Sequence, residues 1–215
     1  MNRPIRLVPA ILTEDPKTLE TMIRLAETFT DYVQVDVMDG QFVPSCSISW
    51  ADMEGLSVKL KWEVHLMVRH PEEYLEGFRR AGAQRAIFHY EAGQSPRKVI
   101  AAARALGLEA GLAVNPETPV SAILSLVDDL DSVLFLSVNP GFYGSQFIPE
   151  VMAKVIELRR LRPEIEIGID GGIKEANITE VARSGVNVIC VGSAVFVQPQ
   201  PAESYRRLLS LAQGS

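Results

Sequence analysis

The sequence predicts an α/β fold, a single-domain (β/α)8 barrel of the TIM type. Short apolar runs recur along the 215 residues with amphipathic stretches between them, which is the pattern of successive β-α units. There are eight such runs, and their starts lie 22 to 34 residues apart, enough for a strand, a helix and two loops. An open doubly wound sheet more often has five or six strands, so eight repeats favour a closed barrel. We expect residues 1–215 to form one domain.

Each predicted strand is an apolar run that ends at polar or turn residues. The eight strands are predicted at 7–12, 32–38, 62–67, 85–89, 109–114, 132–137, 166–170 and 188–191. Helices are predicted between them, and the clearest begin near Pro16, Pro71 and Pro201 because proline is favoured in a first helical turn. Apolar residues at helical spacing follow each of these prolines.

Composition excludes several classes of function. There are 21 Lys and Arg against 27 Asp and Glu, a net charge of −6 with no basic run, which argues against nucleic-acid binding. No apolar run approaches the roughly 18 residues of a membrane span. Cys46 and Cys190 have neither metal nor redox spacing, as is typical of thiols in a reducing compartment. We therefore expect a cytoplasmic protein that contacts neither nucleic acid nor membrane.

The ends of the predicted strands carry polar side chains, and in this barrel the active site lies at the carboxyl ends of the strands. Alternation along a strand puts one set of side chains on the interior face and leaves the apolar residues between them for the helix layer. Three strands therefore direct Asp36, His65 and Asp170 at the barrel mouth. The interior sets are Gln34, Asp36 and Met38, then Glu63, His65 and Met67, then Glu166, Gly168 and Asp170.

Two carboxylates and an imidazole that converge from separate strands have two interpretations. They could form a hydrogen-bonded polar layer, which barrel interiors tolerate. They could also hold Zn²⁺, Mn²⁺ or Fe²⁺, and such an ion stabilises an enediolate as a Lewis acid. Carboxylates on opposite faces of an enediolate would remove a proton from one side and return it to the other, which is an epimerisation.

A separate set of residues indicates phosphate binding. Glycines follow the sixth, seventh and eighth predicted strands, and barrels of this type commonly bind phosphate in the loops after strands 7 and 8. Backbone N–H groups at such glycines approach anions closely, although glycine at a turn often serves the turn alone. The residues concerned are Gly141, Phe142, Tyr143, Gly144, Gly171, Gly172, Gly192 and Ser193.

From end to end the chain resembles the ribulose-phosphate 3-epimerase family. The matching segments are VDVMDGQFVP at 35–44, VHLM at 64–67, FHYEA at 88–92, SVNPGF at 137–142, DGG at 170–172 and GSAVF at 192–196. The resemblance implies a ribulose-phosphate-binding barrel that interconverts D-ribulose 5-phosphate and D-xylulose 5-phosphate within the pentose phosphate pathway.

The resemblance also implies roles for individual residues. Asp36 and Asp170 would be the acid/base pair and, with His65, ligands of one divalent metal ion, either Zn, Mn, Fe or Mg. His65, Met38 and Met67 would border the enediolate, and the glycine-rich loops with Ser193 would hold the substrate phosphate.

The chain departs from the family at several positions. Gln34 stands where the family usually has a histidine ligand, Ala10 where serine is usual, Leu136 where methionine is common and Tyr143 in place of a glycine. Gln34 is either a fourth metal ligand through its amide oxygen, weaker than imidazole, or a hydrogen-bond partner of Asp36 or the substrate.

Two other functions are compatible with the sequence. One is an epimerase for a six-carbon ketose phosphate, suggested by Ala10 and Tyr143. The other is a non-catalytic sugar-phosphate-binding paralogue, against which the two opposed carboxylates argue.

The remaining histidines and one aromatic region have structural interpretations. His89 is either a packed strand-end residue or a group near the site, and His70 is expected at the surface. Aromatic residues near Trp50 would suit a homo-oligomer interface.

Overall fold

The computed structural model describes residues 5–93, 95–141 and 145–214. These residues form eight parallel strands that pair in chain order and close into a barrel, so the predicted (β/α)8 fold is confirmed. The strands are β1 (Arg6–Ile11), β2 (Tyr32–Met38), β3 (Lys61–Met67), β4 (Arg85–His89), β5 (Glu109–Val114), β6 (Ser132–Leu136), β7 (Glu166–Asp170) and β8 (Val188–Val191).

Helices surround the barrel. Within the described residues they are α1 (Pro16–Ala26), α2 (Trp50–Glu54), α3 (Leu75–Arg80), α4 (Pro96–Ala105), α5 (Val120–Ile123), α6 (Val151–Leu161), α7 (Ile178–Arg183), α8 (Ser193–Phe196) and α9 (Pro201–Gln213). Pro16 and Pro201 open α1 and α9 as predicted. Pro71 instead opens a short 3-10 turn, Pro71–Glu73, and α3 begins only at Leu75. Every helix of the described residues is too short or too polar to span a lipid bilayer.

Side-chain alternation divides the core into two layers. Val33, Val35 and Val37 point outward from β2 into the apolar layer between strands and helices, as the sequence predicts. The interior of the barrel holds a separate apolar cluster that includes Tyr32 and Cys190. In register, Asp36 of β2 lies beside His65 of β3, and Asp170 of β7 lies beside Cys190 of β8. Barrel closure thus brings the ends of distant strands to one mouth.

The amino-terminal end of the barrel is closed by a buried ionic cluster around Arg85. Its guanidinium lies 3.3 Å from Glu63, 2.6 Å from Glu166 and 2.7 Å from Glu109. The hydroxyl of Tyr32 donates to Glu63 at 2.9 Å. Burial raises the pKa of Glu63. The positive charge of Arg85 and the hydrogen bond from Tyr32 act in the opposite direction, but they do not cancel the rise. This cluster fills the end of the barrel opposite the polar mouth, and of its members Glu109 is half-exposed.

Candidate active site

A pocket of about 730 Å³, part of it open to solvent, lies at the carboxyl ends of the strands. The structure gathers most of the predicted site residues around it. These are Asp36, Met38, His65, Met67, Gly141, Asp170, Gly171, Gly172, Gly192 and Ser193. Phe142, Tyr143 and Gly144 lie outside the described residues.

The side-chain amide of Gln34 bridges the carboxylates of Asp36 and Asp170 beneath this pocket. The Gln34 amide nitrogen donates to Asp36 Oδ1 and to Asp170 Oδ2, each at 2.9 Å. Gln34 is fully buried, and the aspartates are 7% and 9% exposed. The structure therefore turns the nitrogen of Gln34, and not its oxygen, toward the carboxylates. This is the hydrogen-bonding arrangement rather than that of a metal ligand, because an amide N–H has no lone pair to offer a cation.

The electrostatic environment of Asp170 favours its protonated form. Burial, and then the negative charge of Asp36, raise the pKa of Asp170 to about 6, although His65 and Gln34 act in the opposite direction. A carboxyl group with this pKa is available in both protonation states near neutral pH. Such a value suits a group that gives up and takes back a proton.

His65 connects the carboxylates to a second histidine. Its Nδ1 lies 3.0 Å from Asp36 Oδ1 and 3.7 Å from Asp170 Oδ2, and its Nε2 lies 3.0 Å from Nε2 of His89. The rings stack with centroids 5.1 Å apart. Burial acts to lower the pKa of His65, but the hydrogen bond and charges of the aspartates raise it above its ordinary value. Burial lowers the pKa of His89 to about 4.

Glu91 ends this chain of polar groups. Its Oε2 lies 3.4 Å from Nδ1 of His89, and its Oε1 accepts the backbone N–H of Asn115 at 2.9 Å and the hydroxyl of Thr118. These hydrogen bonds lower the pKa of Glu91 despite burial. His89 is therefore both a packed residue at the end of β4 and a neighbour of the site residue His65, and with Glu91 it fixes the ring of His65.

The three residues Asp36, His65 and Asp170 suit a divalent cation. Each can offer one ligand atom, and the three atoms lie within 4.8 Å of one another. Two buried carboxylates face a single imidazole, and their mutual repulsion is what a cation relieves. The donor set therefore fits a metal such as Zn²⁺, Mn²⁺, Fe²⁺ or Mg²⁺. His89 contacts the other ring nitrogen of His65 and would hold that ring in the orientation a ligand needs.

Apolar side chains form the side of the pocket above β2 and β3. Met38 and Met67 are 6% and 5% exposed and pack with Val43. Phe42 packs against this cluster and lies with its ring 4.7 Å from that of His89. These side chains restrict water around the carboxylates, which strengthens electrostatic interactions there.

The opposite side of the pocket is backbone and glycine. Gly171 and Gly172 have φ values of 106° and 67°, which L side chains rarely adopt. A Cβ on Gly172 would lie 2.8 Å from the backbone of Phe147. Gly192 precedes α8, whose first residue is Ser193, and the leading N–H groups of a helix lack partners within it. The loops after β7 and β8 thus present backbone donors at one side of the pocket.

Sequence reasoning missed several residues of the site. Lys174 and Ser145 line the pocket near Gly172, and Lys174 adds a positive charge to that side. Asp39 accepts backbone N–H groups of Gln41, Phe42 and Arg69 at 2.8 to 2.9 Å, which orders the loop after β2. The position of Lys174 just after the Gly171-Gly172 pair was the one available signal.

Comparison with known proteins gives concordant results. The model of the ribulose-phosphate 3 epimerase family matches residues 6–196. The chain is 39% identical to the ribulose-phosphate 3-epimerase of Synechocystis sp., covering 95% of this chain and 93% of that protein. It is 37% identical to the ribulose-phosphate 3-epimerase of Bacillus subtilis, covering 90% and 93%.

Solved structures agree on the fold. The 3-hexulose-6-phosphate synthase of Salmonella typhimurium superposes with a TM-score of 0.72 at 16% identity, over 97% of this chain and 98% of that one. At this identity the likeness concerns the barrel alone, since one barrel supports many reactions. The family match and the curated relatives decide the class: the chain belongs to the ribulose-phosphate 3-epimerase family, and it is an isomerase that epimerises carbohydrates.

Proposed function

We propose that this epimerase inverts C3 of D-ribulose 5-phosphate to give D-xylulose 5-phosphate, with Asp36 and Asp170 as the acid/base pair. The observation that carries the proposal is the pair of buried carboxylates from β2 and β7, which share the Gln34 amide beneath the pocket. One carboxylate takes the C3 proton, leaving an enediolate, and the other carboxyl group gives a proton to the opposite face. The two groups exchange protonation states, and no net proton is consumed.

Asp36, His65 and Asp170 would hold one divalent cation. When bound, it would supply Lewis-acid stabilisation of the enediolate oxygens. His89 and Glu91 keep the His65 ring in place, because His65 Nε2 lies 3.0 Å from His89 Nε2 and His89 Nδ1 faces Glu91. Met38 and Met67 line the pocket and are nearly buried, so they would border the reacting carbons and limit access of water.

The substrate phosphate would lie against Gly171, Gly172, Gly192 and Ser193. Backbone N–H groups there provide hydrogen bonds without bulk, since glycine allows close approach. Lys174 lines the same side of the pocket and supplies a positive charge. A phosphate at this side would place the sugar chain toward the carboxylates.

The proposal is tested by solvent-deuterium exchange at C3 of D-ribulose 5-phosphate, with product formation and metal content measured on one sample. We expect deuterium at C3 and conversion to D-xylulose 5-phosphate in the unmodified protein. Asp31→Asn, on the surface before β2, is the matched control and should leave both rates unchanged. A six-carbon ketose 6-phosphate serves as the competing substrate, because Ala10 lines the pocket. A higher kcat/KM for it, or no exchange with either sugar, would contradict the proposal.

A further inference from the structure

Gln34 bridges two members of the candidate ligand set, Asp36 and Asp170. Its two N–H groups point to Asp36 Oδ1 and Asp170 Oδ2, and both N···O distances are 2.9 Å. The same oxygens lie 3.0 and 3.7 Å from His65 Nδ1. Because both neighbours are carboxylates, the only end of the amide that can face them favourably is the nitrogen.

The other end of the amide is held by Cys190. The thiol donates to Gln34 Oε1 with an Sγ···O distance of 3.3 Å, and Cys190 is 1% exposed. Burial, followed by the charge of Asp170, raises the pKa of this thiol, so it remains an S–H donor. Gln34 therefore has its donors and its acceptor satisfied in one orientation of the amide.

A cation bound by Asp36 and Asp170 would require lone pairs that now accept from Gln34. The amide nitrogen cannot coordinate a metal, and its hydrogens carry partial positive charge. Cation binding would thus break the Gln34 hydrogen bonds or rotate the amide so that the oxygen faces inward. In the rotated state the amide N–H groups would face the sulfur of Cys190, a weak acceptor.

We propose that Gln34, anchored by Cys190, is a positioning residue that bridges the two carboxylates in the cation-free enzyme and competes with a divalent cation for their oxygens. The bridge holds both carboxylates toward the pocket with a neutral donor. The inference rests on the proposed role of Asp36 and Asp170 as cation ligands, and it assigns Gln34 a role opposite to that of a fourth ligand.

Direct binding of Mn²⁺ to chelator-stripped protein tests the competition without reference to turnover. Gln34→Met keeps the length of the side chain but removes the amide. We expect Mn²⁺ to bind at least about tenfold tighter, because at least one of the two charge-assisted hydrogen bonds of the amide must break when the cation binds. As a control, Val188→Ala changes an apolar residue of β8 that faces the barrel interior, and it should leave the affinity for Mn²⁺ unchanged. Weaker binding by Gln34→Met would show that the amide is a ligand and would overturn the proposal. Absence of binding in both proteins would overturn it together with the proposed cation.

The anchor is tested by a double-mutant cycle. Cys190→Val removes the S–H donor, so it should tighten Mn²⁺ binding in the unmodified chain by a smaller factor than Gln34→Met does. It should have no effect in the Gln34→Met background, because no amide remains to be held. An equal effect of Cys190→Val in both backgrounds would show that Cys190 acts independently of Gln34, against the proposal.

Nuclear magnetic resonance provides a measurement on the unmodified protein, which decides the question even if a variant fails to fold. The Gln34 side-chain ¹⁵N–H resonances, assigned by selective labelling and by through-space contacts with neighbouring side chains, report the hydrogen bonds to the aspartates. Saturation with Zn²⁺ should shift them as these bonds break. Bound Zn²⁺ with unchanged Gln34 resonances would refute the competition while leaving the proposed epimerase function intact.

Discussion

Replacing Asp170 by asparagine should stabilise the cation-free fold at neutral pH while abolishing most of the epimerase activity. Asp170 is 9% exposed, and burial together with repulsion from Asp36 raises its pKa from 3.8 to about 6. An ionised Asp170 therefore destabilises the folded state. Asparagine carries no charge and still has an oxygen that can accept from Gln34.

The difference in pKa sets the size of the effect. At about 1.4 kcal/mol for each pKa unit, a rise from 3.8 to about 6 corresponds to about 3 kcal/mol. Because the folded-state pKa is the higher one, the stabilising contribution of the protonated carboxyl is complete below about pH 4 and is lost as the pH rises through about 6. The advantage of Asp170→Asn should thus grow between about pH 4 and 6 and remain constant above that range.

Urea denaturation in a chelating buffer between pH 4.5 and 8 measures this effect. The comparison requires the unmodified protein, Asp170→Asn, and the surface variant Asp31→Asn as control. The free energies of unfolding of Asp170→Asn and the unmodified protein should diverge as the pH rises, whereas the control should follow the unmodified protein. A difference that does not vary with pH, or an Asp170→Asn protein that is less stable at pH 7, would refute the reasoning. Turnover of Asp170→Asn should fall by roughly 10²-fold or more.

Four further changes have expected outcomes. Asp36→Asn should lower kcat by roughly 10²-fold or more with the fold retained, and near-normal turnover would contradict the two-carboxylate mechanism. Gly172→Ala should raise KM for D-ribulose 5-phosphate, because its Cβ would meet the Phe147 backbone at 2.8 Å, and an unchanged KM would argue against phosphate at this loop. Glu91→Gln should weaken Mn²⁺ binding by about tenfold through the ring of His65, as measured by titration, and an unaltered affinity would exclude the supporting role. Arg85→Met should reduce the free energy of unfolding by about 3–5 kcal/mol by leaving Glu63 buried without its cation. Adding Glu63→Gln should restore part of that loss, and no recovery in urea denaturation would refute this explanation.

Local patterns were sufficient to predict the barrel and the direction of its main polar side chains. Alternation has a period of two residues in any strand, so the sequence alone predicts Asp36, His65 and Asp170 on the interior face, without knowledge of their neighbours in space. Strand limits were less accurate: β6 ends at Leu136 instead of Ser137, whose side-chain hydroxyl donates to the backbone oxygens of Asp170 and Gly171. The backbone N–H of Ser137 still donates to the Asp170 oxygen of β7, but its own carbonyl accepts from Ile148, so the position at which β6 ends depends on the loop that follows it.

The partners of the polar side chains depended on the tertiary structure. Gln34 bonds to Asp170 and Cys190, which lie 136 and 156 residues away along the chain and reach it only when the barrel closes. The orientation of its amide follows from the negative charge of Asp170 and from the S–H donor of Cys190, which no local pattern encodes. The contact of His65 with His89 arises in the same way, since it requires adjacent strands in register. Sequence periodicity therefore determined which side chains face the pocket. The hydrogen bonds that fix the chemistry of these side chains were decided by the tertiary structure, because donors and acceptors pair according to their positions in space.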